Sequence, residues 1–174
     1  ELMRIPPATY AHAAITEVDT ATAEVDKRAA HWEEGRRLVW TDGSCLRQNE
    51  PRFRRAGVGV WYGMGHSRNH SAPLLGWIHT SPRAELRATL TAIRQADTPT
   101  TLLTDCSFVV QGVQAVLDGC KVEHLDHQDL WRCVKEDIAK LPHDRVRIRK
   151  TLGHAKLEDV VSGKTTMLEK QGND

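Results

Sequence analysis

The sequence predicts an α/β domain: a five-stranded mixed sheet, part antiparallel meander and part parallel crossover strands, flanked by helices. Three observations carry that expectation. Two apolar runs, Leu38-Val39-Trp40 and Leu102-Leu103, each close on the same Thr-Asp phrase, at Asp42 and Asp105. Short continuous apolar runs suit strands covered on both faces, as in parallel sheets. Between them Ala84, Ala88 and Ala92, with Leu86, Leu90 and Ile93, recur at helical spacing, which marks a helix with a broad apolar face.

Each element follows in order. Leu38–Asp42 is the first strand. Gly57–Tyr62 is the second, and the Gly63–Gly65 turn leads to a third around Leu74–His79, completing a meander. Ser81 suits an N-cap and Pro82 the first helical position of the helix that follows. Thr101–Thr104 is the fourth strand. A helix runs from about Ser107 to Leu117 and stops at Gly119. Asp126 or Asp129 opens another, which Pro142 ends. Val146 and Ile148, alternating with arginines, form a fifth strand leading to Gly153-His154. The expected order is β-β-β-α-β-α-α-β, which is an α/β arrangement.

The chain has 174 residues, a formal net charge of +1, 40% hydrophobic and 27% charged residues. That is ordinary globular composition and excludes a fibrous or wholly disordered chain. No stretch approaches 18 consecutive apolar residues, so no helical membrane span is expected. The four cysteines form no CxxC or zinc pattern and read as reduced thiols in an intracellular setting. Nothing selects nucleus, cytoplasm or mitochondrion. The chain opens on Glu1 and reads as a processed or trimmed piece.

Charge divides the chain. Residues 1–35 carry seven acids against three bases and read as an acidic arm, with the domain proper over 36–174. The remainder is net basic by about five charges. One basic cluster comprises Arg36, Arg37, Arg47, Arg52, Arg54 and Arg55. The other comprises Lys140, Arg145, Arg147, Arg149, Lys150 and Lys156. Two clusters flanking one site point to a polyanion partner. Trp40, Trp61 and Trp131 are expected in the core. Trp32 and Trp77 have no clear core position, and stacking on a base is the alternative for one of them.

The chemistry lies in the carboxylates. Ligands of α/β sheets bind at the carboxyl ends of the strands. If the first and fourth strands are neighbours, Asp42 and Asp105 emerge side by side there, and Glu85 lies in the first turns of the helix between them. Three carboxylates that close raise one another's pKa. A hard divalent cation, Mg²⁺ by default, relieves the repulsion. Two such ions about 3.5–4 Å apart activate a water and stabilise a leaving oxyanion in phosphodiester cleavage. His154, in a Gly-His-Ala-Lys loop, suits proton transfer to the same reaction.

Thr41-Asp42-Gly43-Ser44, Arg83-Ala84-Glu85-Leu86, Thr104-Asp105-Cys106-Ser107 and Gly153-His154-Ala155 together resemble type 1 ribonuclease H. Asp129-Leu130-Trp131 is also similar to that family's pattern. The long stretch between His154 and Asn173 is more like retroelement-derived or protist members. The resemblance implies a ribonuclease H-like fold and endonucleolytic cleavage of the RNA strand of RNA–DNA hybrids with Mg²⁺ or Mn²⁺, two ions. It implies Asp42, Glu85 and Asp105 as metal ligands and His154 as the loop histidine. Ser44, Thr80 and Ser81 would face the minor groove, where 2′-hydroxyls distinguish RNA. Arg52, Arg54, Arg55, Arg149 and Lys150 would contact phosphates without reading sequence.

The sequence departs from the family in three places. Gly172-Asn173-Asp174 matches the start of its last motif, but the fourth carboxylate would fall about three residues past Asp174, so the last helix reads as truncated. The basic handle after the second helix is missing, which implies a tethered or partner protein supplying hybrid affinity. Thr80-Ser81-Pro82 stands where Asn or Gln is common. The alternative reading is a ribonuclease H-fold module serving as a structural or RNA-binding subunit of a larger assembly that engages a hybrid or structured RNA.

Overall fold

The computed structural model describes residues 22–153 and 155–172. Strand β2 (Arg36–Leu46) is the axis of a sheet ordered β4-β3-β2-β5-β6, with β1 (His31–Glu33) paired to β2 off that path. On one side β2 pairs antiparallel with β3 (Arg55–Trp61), and β3 pairs with β4 (His70–Pro73). On the other side β2 pairs parallel with β5 (Thr100–Thr104), and β5 with β6 (Val146–Lys150). The described helices are α1 (22–29), α2 (Ser81–Arg94), α3 (Ser107–Leu117), α4 (Gln128–Ala139), α5 (Leu157–Val161) and α6 (Met167–Gly172).

The apolar runs build two layers of core because successive strand side chains point to opposite faces. Val39, Val58, Val60, Leu102 and Val146 point to one face, where α2, α3 and α4 cover them. Leu38, Trp40 and Leu103 point to the other, packed with Trp61 and Leu168 of α6. Trp40 and Trp131 are fully buried and Trp61 is half-buried, while Trp32 is exposed. Gly112 lets α3 close on α4: a side chain there would run into the Trp131 ring.

Several details differ from the sequence expectation. The sheet has six strands rather than five, because His31–Glu33 folds back on Arg36–Leu38. Glu34 and Gly35 both have positive φ, 50° and 75°, the two-residue turn whose twist matches a hairpin. The boundary drawn at residue 36 thus falls inside the β1–β2 hairpin, and α1 is held to the body by Asp26, which accepts from Ser67 N–H and Oγ–H. Residues 1–21 lie outside the described residues.

The third meander strand is His70–Pro73, not 74–79. Pairing with β3 ends at Gly57↔Pro73, and only the Leu74 N–H still reaches Ala56 O (2.8 Å). Only Ala56 and Arg55 of β3 remain beyond that point, and the Ala56 N–H is taken by His79 Nδ1 (3.0 Å) rather than by a strand carbonyl, so 74–79 is a loop. The N-cap of α2 is Thr80 rather than Ser81: its Oγ accepts from Arg83 N–H (3.4 Å). The cap of α4 is His127, in the left-handed region at φ 67°, between the two aspartates expected to open it. Arg36 is not a surface cation: it is buried, with its guanidinium on Thr101 Oγ, Asp144 and backbone carbonyls. Arg37 pairs with Asp97 (3.0 Å).

Candidate metal centre

The parallel pairing of β2 with β5 stops at Trp40↔Leu103. From there β2 continues to Leu46 against β3 alone, so the sheet splits at the carboxyl ends of β2 and β5. Asp42 lies on one lip of the split and Asp105 directly follows the other. Such an opening is where α/β sheets place their ligands.

Glu85 enters from α2, and Gly43 is what lets it do so. The α2 backbone at Ala84 and Glu85 lies directly on the Gly43 Cα, where a Cβ would overlap the peptide group that joins them. Ser81 Oγ–H donates to Gly43 O (3.1 Å) and fastens the same crossing. Gly43→Ala is therefore expected to destabilise the fold by about 3 kcal/mol, the upper end for overpacking because backbone cannot rotate away. Urea unfolding would measure it, and an unchanged midpoint would refute it.

Asp42, Glu85 and Asp105 bring ligand oxygens within 4.8 Å of one another. Asp42 is exposed, Asp105 half-buried, and Glu85 only 6% exposed. Burial, then the Asp42 and Asp105 charges, push the Glu85 carboxyl up to about 8, against hydrogen bonds from the Gly43 backbone and Thr104. Thr104 Oγ–H donates to Glu85 Oε2 (3.4 Å) and accepts from Cys106 N–H (3.2 Å). Among the described residues no lysine, arginine or histidine forms an ion pair with any of the three. The donor set is all oxygen, clustered and, among the described residues, without an ion-pair partner, which fits a hard divalent cation. Gly153 packs on the Asp105 carboxylate with no room for a side chain. His154, Asn173 and Asp174 lie outside the described residues.

Of the expected nucleic-acid contacts, Ser44 is exposed on β2, two residues beyond Asp42 and on the same face. Thr80 and Ser81 begin α2, with Thr80 Oγ also 3.4 Å from His127 Nε2. Lys150 ends β6 at the carboxylate edge and donates to Ser107 Oγ (2.6 Å). Arg52, Arg54 and Arg55 lie on the β2–β3 connection and the start of β3. Arg149 is already engaged by Glu33 (2.8 Å) and Glu169 (3.3 Å). The two basic clusters do not simply flank the site. Arg145 directly precedes β6 and Arg147 is its second residue, and a parallel strand's start lies at the edge opposite its carboxyl end.

A model of the RNase H family matches residues 34–162, most of the chain. The chain belongs to the RNase H family. Human Ribonuclease H1 is 40% identical over 88 residues, 48% of this chain and 30% of the human protein. Ribonuclease H of Schizosaccharomyces pombe is 36% identical over 86 residues, 49% of this chain and 32% of its own. The matched part thus spans under a third of these curated relatives. The fold is also that of the PFV RNase H domain, with TM-score 0.54 at 22% identity over 78% of this chain and 93% of that one. A structure of the Prototype Foamy Virus Protease-Reverse Transcriptase gives TM-score 0.55 at 22% identity, over 82% of this chain and 21% of that longer one. For this RNase H family member, sequence reasoning missed Arg83, which holds Asp129 through two guanidinium nitrogens. That pair lowers the Asp129 carboxyl to about 2 and ties the start of α4 to the helix carrying Glu85. It also missed Thr104, whose only signal was its place before Asp105.

Proposed function

We propose that this protein hydrolyses the RNA strand of RNA–DNA hybrids in a divalent-metal-dependent reaction. The observation that carries the reading is the convergence of Asp42, Glu85 and Asp105 at the split sheet edge, in a chain of the RNase H family. Asp42, Glu85 and Asp105 would hold Mg²⁺ or Mn²⁺, as two ions, which would supply an activated water and a counter-charge for the leaving oxyanion. Asp42 and Asp105 offer the accessible oxygens, and Glu85, held by Thr104, closes the site from beneath. His154 exchanges the proton that the attacking water loses or the leaving oxygen gains.

Recognition falls to neighbouring groups. Ser44, Thr80 and Ser81 present hydroxyls able to donate to or accept from a ribose 2′-hydroxyl. Arg52, Arg54, Arg55 and Lys150 supply phosphate contacts that carry no sequence information. Arg149 joins them only by exchanging Glu33 and Glu169. A tethered or partner domain adds hybrid affinity, a reading supported by the missing handle.

The test is cleavage of an end-labelled hybrid in Mg²⁺ and in Mn²⁺, by this chain and by any longer natural form. RNA-strand products that vanish in EDTA are expected. An intact hybrid under all these conditions would overturn the activity and favour an assembly module.

A further inference from the structure

Five large apolar side chains, Leu46, Phe53, Leu75, Trp77 and Ile78, are each more than half exposed, and Trp77 is fully so. They belong to two segments that meet at the start of β3. Leu46 is paired across to Arg55. The 74–79 loop is anchored beside it: Leu74 N–H donates to Ala56 O (2.8 Å), and Ala56 N–H donates to His79 Nδ1 (3.0 Å). His79 Nε2 lies 2.9 Å from Gly76 O, and Cys45 Sγ–H donates to His79 O (3.5 Å). Trp77 is therefore held outward by a hydrogen-bonded loop, three residues before the cap of the helix carrying Glu85.

The charge around this patch is net positive. Arg47, Arg52, Arg54 and Arg55 face a single acid, Glu50, within the connection. Among the described residues none of the four forms an ion pair, whereas Arg36, Arg83 and Arg94 each meet an aspartate. The Arg54 and Arg55 side chains donate only to the carbonyls of Gln48 and Arg54. The Arg47 guanidinium lies 5.8 Å from the centre of the Phe53 ring. Uncompensated arginines interleaved with exposed aromatic rings suit a ligand with both phosphates and open π-faces, which is single-stranded nucleic acid. A duplex hides its base faces and cannot use the rings in this way.

We propose that the 46–55 connection and the 74–79 loop form a binding surface for a single-stranded extension of the substrate, with its bases stacked on Trp77 and Phe53. The inference rests on the hydrolytic reading for its substrate class, but its track begins beyond the carboxylates. Leu46 lies four strand residues past Asp42, about 13 Å at the usual rise.

The experiment is fluorescence anisotropy in EDTA, which separates binding from catalysis. The probes are a blunt labelled RNA–DNA hybrid and the same hybrid with a (dT)6 tail at the 5′ or the 3′ end of its DNA strand. One tail is expected to tighten binding about tenfold over blunt, as one stacked base would supply. Trp77→Ala with Phe53→Ala is expected to remove that ratio. Both residues are exposed, so folding is not at stake, and circular dichroism checks it. Equal affinity for tailed and blunt hybrids, or an undiminished ratio in the double variant, would overturn the proposal. The second result would leave the patch for a protein partner. Absence of cleavage in Mg²⁺ would instead count against the hydrolytic reading and leave this measurement intact.

Discussion

Asp42→Asn is expected to lower hybrid cleavage by at least about 10³-fold while leaving hybrid affinity in EDTA near that of the unaltered protein. Losing one carboxylate ligand removes several kcal/mol of transition-state stabilisation, and each 1.4 kcal/mol is about tenfold in rate. Asn keeps the shape, and Asp42 is exposed on an intact strand, so the fold has no reason to suffer. The Asp42 charge also helps raise the Glu85 carboxyl, so its removal relieves the cluster. Single-turnover cleavage, anisotropy and thermal melting together read the three effects. Cleavage within tenfold of the parent, or a lost melting transition, would contradict the assignment.

Glu85→Gln is expected to abolish cleavage and yet stabilise the metal-free protein, by more as pH rises. The folded-state carboxyl titrates at about 8 against an ordinary value of 4.5. Below 4.5 the folded and unfolded states both hold the proton. Between 4.5 and 8 only the folded state retains it, so stability falls with rising pH at up to about 1.4 kcal/mol per unit from this group. Above 8 both have lost it and the loss levels off. Gln carries no such charge and lacks that slope. In the parent protein, Mg²⁺ held by the three carboxylates would stabilise the folded state, so the melting temperature is expected to rise with the ion. In Glu85→Gln the rise shrinks or disappears. Melting from pH 5 to 9, in EDTA and in Mg²⁺, checks both. A variant less stable than its parent at pH 8 in EDTA would show that Glu85 is not a strained charge.

Both expectations depend on a site whose parts were legible before any coordinates. The repeated Thr-Asp phrase named Asp42 and Asp105, because each doubly covered apolar run turns polar there: β5 ends at Thr104, whereas β2 runs on to Leu46. The Ala and Leu spacing placed Glu85 near the start of α2, and all three reach one point. The 74–79 strand failed for a reason that local pattern cannot carry. Its residues are as strand-like as their neighbours, but only two residues of β3 remain opposite them, and the Ala56 N–H goes to the His79 ring instead of a strand carbonyl. The arginines failed similarly. Arg36, Arg52 and Arg149 look alike in sequence, yet the first is buried, the second forms no ion pair among the described residues and the third is held by two glutamates.

By itself, then, the sequence determined the type of most elements of the body, the two-faced apolar strands and the identity of the three carboxylates. These follow from periodicity and residue chemistry, which act over a few residues. Only the tertiary structure decided that β2 outruns β5 and opens the split, that Gly43 admits the α2 backbone, and that Glu85 is buried enough to resist ionisation. It also decided which arginines remain unpaired and that Trp77 faces solvent. Each of these depends on groups brought together from distant parts of the chain, and neither desolvation nor ion pairing is encoded in the order of neighbouring residues.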